Sequence, residues 1–332
     1  MNEELDVFLE GLIHGATPSV SASVVSSSKI LYEKVAGYRQ VEPTRLPVLQ
    51  DTLYDLASLT KVVGVTTALL RLLDKGLATL DMTIGDCFPD SGNFAKVTVR
   101  QLATHTGGFV PERRLWNFLD DPKDAIPFIL HDTPVAEPGT HVIYSCFGFI
   151  ILGKMLEQTC GKSLQGIIQE EVTGPLGMQH TFYRPSTYGE FTYAATEYPI
   201  VGEVHDENAR FLGGVSGNAG LFSTLQDLER FCMALLSHKR GFLSDKAFQL
   251  LTSLQAKGEE HRSIGWKLDD LALFGTHTSN LTIGHTGFTG TSLVLDFSRN
   301  RAAILLTNRI HPTRDNKMLL ALRRDYHNLV FA

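Results

Sequence analysis

The sequence predicts an α+β protein: an antiparallel β-sheet built from both ends of the chain and flanked by helices, with a mostly helical lobe inserted between. Three observations carry this. After a first amphipathic segment, "PSVSASVVSSSKILYEKVAGY" holds two β-rich runs around a Ser/Lys turn. Near the other end, "LTIGHTG", "TSLVLDF" and "AAILLTN" read as strands, the last two joined by the turn "SRNR". Between these ends, apolar residues recur at three and four rather than at two. Strands at both ends with helices between fit that architecture.

Each element has its own signal. In "MNEELDVFLEGLIHG", Leu5, Phe8, Leu9 and Leu12 fall at helical spacing. "TPSVSA" lacks helix formers and "KILYEKVAG" roughly alternates, which predicts a hairpin. Residues 41–55, with Pro43 and Pro47, predict a crossing loop. From Ser58 onward Val62, Val65, Leu69, Leu72 and Leu73 predict a helix ending near "DKG". "TVRQLATHTGG" predicts a short helix stopped by Gly107–Gly108, with His105 bonding backbone at its end. "YSCFGFIILGKMLEQTCG" predicts a helix ended by Gly161. "STLQDLERFCMALLSHKRG" opens on Thr224 and Asp227 in a capping-box-like arrangement and is expected to close at Gly241. "NKMLLALRRDYHNLVF" predicts a last amphipathic helix. The expected division is a sheet lobe from residues 1–55 and 260–332, a helical lobe from 56–259, and an active site in the cleft between.

Composition narrows the function. The 332 residues carry 30 Lys and Arg against 36 Asp and Glu, a formal charge of -6. No long run of either sign is present, which argues against a nucleic-acid or anionic-membrane surface as the main partner; a small-molecule or peptide substrate is the expected partner. No apolar run approaches the roughly 20 residues that span a bilayer, so no membrane span is expected. The acidic start lacks the basic, then apolar, pattern of a secretory signal, so the chain as written is expected to be cytoplasmic unless a leader was removed. Cys87, Cys146, Cys160 and Cys232 show no C-x-x-C spacing and read as buried free thiols. Neither a metal nor a cofactor is expected.

The chemistry begins at "DLASLTKVVG". Ser58 lies three residues ahead of Lys61, at the start of an apolar helix, where unpaired N–H groups and the helix dipole favour negative charge. Lys61 can fold back to the hydroxyl. Its apolar neighbours Val62, Val63 and Val65 would desolvate it, lowering its pKa and making the neutral amine a usable base. Locally, a capping serine beside a solvated lysine explains the pattern equally well. S-x-x-K also occurs at Ser26–Lys29, in a turn where a lysine tip would be solvated.

Two further motifs decide between the readings. "IYSCFGF" sets Tyr144 ahead of a helix, and "IGHTGFTGTS" sets His285, Thr286 and Gly287 at a strand end. Together with Ser58 and Lys61, this resembles the three-motif pattern of the serine β-lactamase and penicillin-binding-protein superfamily, in its class C-like branch. The resemblance covers most of the chain and implies a β-lactamase/transpeptidase-like fold. It also implies a serine hydrolase working through an acyl-enzyme on Ser58, with Lys61 and Tyr144 sharing the proton transfers. A tyrosine is a poor base near neutral pH unless a cation such as Lys61 favours its phenolate. The N–H groups of Ser58 and Phe288 would form an oxyanion hole, and Gly287 would let substrate approach the strand edge.

The pattern departs from the family in two places. The third motif commonly starts with lysine and here has His285, a residue mostly neutral at pH 7. The second often ends in asparagine and here has Cys146, which offers no amide. Weak β-lactam turnover is therefore expected. The implied substrate is an amide or peptide derived from peptidoglycan or containing D-amino acids. A carboxylesterase using the same serine and a catalytically silent binding module are the alternatives. "GEVHDENARFLGGVSGNAGLFST" is similar to segments of muropeptide amidases, and His205 or Asp206 is expected to contact substrate.

Overall fold

The computed structural model describes residues 2–184, 191–237 and 241–332. Its strands are β1 (Ser19–Val25), β2 (Ile30–Gln40), β3 (Leu46–Pro47), β4 (Tyr54–Asp55), β5 (Phe182–Tyr183) and β6 (Leu221–Ser223). They continue with β7 (Ala256–Lys257), β8 (His261–Arg262), β9 (Lys267–Leu268), β10 (Thr282–Thr286), β11 (Ser292–Asp296) and β12 (Arg301–Thr307). Nine of them form one antiparallel sheet in the order β3-β2-β1-β12-β11-β10-β9-β8-β7, and β4-β6-β5 make a smaller one. The two ends of the chain meet at β1 and β12, where Val20 pairs with Thr307 and Val25 with Ala302. That is the fold expected from the sequence.

Alternation along β12 explains how the sheet is covered. Ala302, Ile304 and Leu306 face one core and Ala303 and Leu305 the other. The second core is closed by the terminal helices Asn2–Ile13 and Met318–Phe331 through Leu5, Leu9, Leu12, Leu319, Tyr326 and Val330. The serines of "SVSASVV" take the opposite face of β1. There Ser19 and Ser21 Oγ lie 3.0 and 3.1 Å from Tyr54 Oη, which ties the sheet to β4. Among the described residues no helix is long and apolar enough to cross a membrane.

Five local expectations change. The helix after Ser58 opens as a π-helix over Lys61–Thr66 and becomes α-helical over Thr67–Asp74. Thr67 Oγ1 donates to the Val62 carbonyl at 2.8 Å, and Gly64 is pressed against Ile168 and Leu221, contacts that accompany the wider turn. The helix Val99–Ala103 stops before the glycine pair because His105 itself takes φ 58°. The Thr224 helix ends at Leu236 rather than near Gly241, and the stretch 238–240 lies outside the described residues. Residues 41–55 hold β3 and β4 as well as loop. The cysteines are all free, but only Cys232 is fully buried.

Candidate active site

The site is assembled around a strained turn. Ala57, immediately before Ser58, sits at φ 47°, a left-handed conformation costly for a residue with a Cβ. Three bonds hold it. Asp55 Oδ1 accepts from Ala57 N at 2.8 Å, and Asp55 Oδ2 accepts from His205 N at 2.7 Å. Thr289 Oγ1 donates to the Asp55 carbonyl at 2.7 Å, so the turn is joined to the loop after β10. Burial pushes the Asp55 carboxyl up, against the pull of the His205 and Ala57 N–H groups.

Ser58 is partly exposed, and its Oγ accepts two hydrogen bonds: from Lys61 Nζ at 2.9 Å and from Tyr144 Oη at 2.8 Å. Lys61 is fully buried and also donates to the Asn218 carbonyl at 2.9 Å, with Cys146 Sγ 3.6 Å away. Here the sequence expectation is reversed. Burial pulls the Lys61 pKa down, but its interactions with Cys146, then Tyr144, then Asp206 outweigh it, and the net shift is upward. Lys61 is therefore held as an ammonium rather than released as a free amine. Desolvation raises the Cys146 thiol, against the pull of Lys61.

Tyr144 is placed by its neighbours. Ser145 caps the helix Cys146–Cys160, accepting from Phe147 N at 3.1 Å while donating to the Val110 carbonyl at 2.7 Å. The Ile143 N–H bonds the His105 carbonyl, and the Ser145 N–H bonds His105 Nδ1 at 3.2 Å. The His105 ring lies 4.5 Å from that of Tyr144. His105 thus bonds backbone as expected and also packs on the tyrosine.

The third motif brings no charge. His285 is buried, its ring centroid 6.1 Å from that of Tyr144, and its Nδ1 bonds the Thr286 carbonyl at 3.0 Å. Burial first, then Arg262 and Lys61, hold its pKa well below the usual imidazole value. Thr286 ends β10, paired with Ser292. Gly287 has an internal reason to be glycine, beside the expected room for substrate. A Cβ there would meet Thr291 Oγ1 at 2.1 Å and the Leu56 carbonyl at 2.4 Å. Among the described residues, the N–H groups of Ser58 and Phe288 have no partner within the protein.

His205 also differs from expectation. It is buried beneath the half-exposed Phe288, the rings stacked 5.6 Å apart, and its Nε2 lies 3.2 Å from Glu197 and 3.3 Å from Arg314. Asp206 is likewise engaged, capping Ala209 N and accepting from Asn218 Nδ2 at 3.1 Å. The Gly-rich run is close to the site because Gly217 packs on the Cys146–Cys160 helix, where a Cβ would lie 2.0 Å from the Phe149 carbonyl. Sequence reasoning marked that run but missed Asn218, whose carbonyl it delivers to Lys61. It also missed Asp55 and Arg262.

The antiparallel sheet, the covering helices and a serine held between an ammonium and a phenol are the features of a serine hydrolase. The chain belongs to the Beta-lactamase family, which matches it over residues 5–328. A protein of Escherichia coli (strain K12) with a provisional D-alanyl-D-alanine carboxypeptidase name is 29% identical over 357 residues, covering 93% of this chain and 82% of that protein. An N-acetylmuramyl-L-alanine amidase of Bacillus subtilis (strain 168) is 28% identical, covering 93% of this chain and 81% of the amidase. Among solved structures, EstCE1, a hydrolase with promiscuous acyltransferase activity, superposes with a TM-score of 0.80 at 18% identity, over 98% of this chain and 97% of its own.

Proposed function

We propose that the protein cleaves an amide or peptide bond of a peptidoglycan-derived or D-amino-acid-containing substrate through an acyl-enzyme on Ser58. The observation that carries this is the pair of bonds on Ser58 Oγ, from Lys61 Nζ and Tyr144 Oη. With Lys61 kept as an ammonium, the base is Tyr144: the resting phenol donates to Ser58 Oγ, and the reactive form is the one from which that phenol proton has left to solvent. Ser58 gives its proton to the phenolate oxygen as Oγ bonds the carbonyl carbon. The N–H groups of Ser58 and Phe288 receive the oxyanion. Tyr144 then gives that proton to the leaving nitrogen as the C–N bond breaks, and water releases the acyl group by the reverse relay. The relatives named carboxypeptidase and amidase support an amide substrate over an ester.

The neutral His285 supports a second feature, poor recognition of a substrate carboxylate by the third motif, and hence weak β-lactam turnover. Mass spectrometry after exposure to a fluorophosphonate tests the nucleophile. A single adduct on wild-type protein, absent from Ser58→Ala, is expected. No adduct, or one that survives the substitution, would refute the mechanism and favour a silent binding module. Turnover of muramyl and D-alanyl peptides against p-nitrophenyl esters then separates amidase from carboxylesterase.

A further inference from the structure

Arg262 on β8 is fully buried, and its guanidinium carbon lies 5.5 Å from the centroid of the Tyr144 ring. Lys61 Nζ lies 5.1 Å from the same ring. The Tyr144 phenol is therefore flanked by two cations and two imidazoles, those of His105 and His285. Both imidazoles are buried, and Arg262 is the largest charge lowering their pKa values after burial itself, so neither adds positive charge. Arg262 Nη2 donates to Glu260, but its Nε and Nη1 have no hydrogen-bond partner among the described residues.

Burying a guanidinium with unpaired N–H groups is costly. Neutralising Glu260 does not account for it, because Lys267 Nζ already bonds that carboxylate at 2.7 Å. What burial secures is a fixed cation close to the tyrosine, in a low-dielectric setting where its field is strong.

We propose that Arg262 is a positioning residue for the Ser58 reaction, supplying from β8 the positive charge beside Tyr144 that His285 does not supply from β10. It rests on the proton relay proposed above and adds no step to it. Ser58 passes its proton to the Tyr144 oxygen, Tyr144 passes it to the leaving group, and the guanidinium keeps all its protons. It favours each state in which the tyrosine oxygen is negative. At this distance, with an effective dielectric of about 20, one unit charge alters a charging equilibrium by roughly 100-fold.

Steady-state kinetics of Arg262→Met, Arg262→Gln and Arg262→Lys test this on p-nitrophenyl acetate and a D-alanyl p-nitroanilide, with circular dichroism and melting as checks of folding. The expected result is a loss of about 100-fold in kcat with KM little changed for Met and Gln, and recovery of at least tenfold of that loss for Lys. On a Tyr144→Phe background the Arg262→Gln loss should shrink to less than threefold, because the charge acts through the phenol. A loss undiminished on that background, a loss confined to KM, or no loss at all would overturn the proposal. Adduct formation at Ser58 in the same variants separates the two questions. If labelling of wild type does not depend on Ser58, the acyl-enzyme reading fails. If it does and Arg262 variants label at the wild-type rate, only the role of Arg262 fails.

Discussion

Behind Gly287 the Leu56 carbonyl and Thr291 Oγ1 occupy the place a side chain would take. Gly287→Ala should therefore destabilise the fold by about 1–3 kcal/mol, the usual cost of forcing a methyl into packed surroundings. It should also displace the Phe288 N–H and lower kcat. Denaturant unfolding beside kinetics checks both, and lost activity with unchanged stability would leave only the substrate-contact explanation. Ser58, Lys61 and Tyr144 were legible only together with the strand motif at His285, through the resemblance of all three motifs to a family pattern; locally a cap and a solvated lysine fitted as well. The charge state of Lys61 was not legible. It depends on Cys146, Tyr144 and Asp206, which lie far off in the chain and together outweigh burial. Arg262 was hidden for a similar reason, since nothing in "EEHRSIG" announces a ring lying 118 positions away.

The helices that deliver these residues were legible at their ends where capping is local. Thr224 and Gly161 perform the roles their types imply, and Ser145, whose capping role was not read from the sequence, caps the helix after Tyr144. The π-helical opening over Lys61–Thr66 was not legible, because over six residues its apolar pattern is indistinguishable from that of an α-helix. The cap at Ser145, the residue after Tyr144, joins an element to the site, since its hydroxyl also donates to the Val110 carbonyl. Ser145→Ala removes both bonds and should cost about 1–2 kcal/mol. The freed Tyr144 should reduce kcat more than KM. Thermal unfolding and kinetics of the same variant test this, and a stability loss with wild-type kcat would show that other contacts alone hold Tyr144.

For the molecule as a whole, the sheet was legible because strand periodicity appears at both ends of the chain and nowhere so clearly between. The ion-pair cluster that fastens the region after β12 to the middle of the chain was not, because its members are scattered. Arg314 bonds Glu197 and Glu207 at 2.7 Å each, and His205 leans on Glu197 from beneath Phe288. Arg314, followed by His205, holds the Glu197 carboxyl down to about 2, against a usual value of 4.5. The folded state thus binds that proton less readily than the unfolded chain does. The cluster's stabilisation is complete above pH 4.5 and is lost as pH falls from about 4.5 toward 2. Glu197 keeps part of its surface in water, so solvent screening limits the size of the effect. Glu197→Gln should be less stable than wild type at pH 7, and the gap should narrow steadily on acidification below pH 4.5. Urea unfolding of both proteins between pH 3 and 7 measures it. Parallel stability curves would mean that the cluster is held by packing around Phe288 rather than by charge.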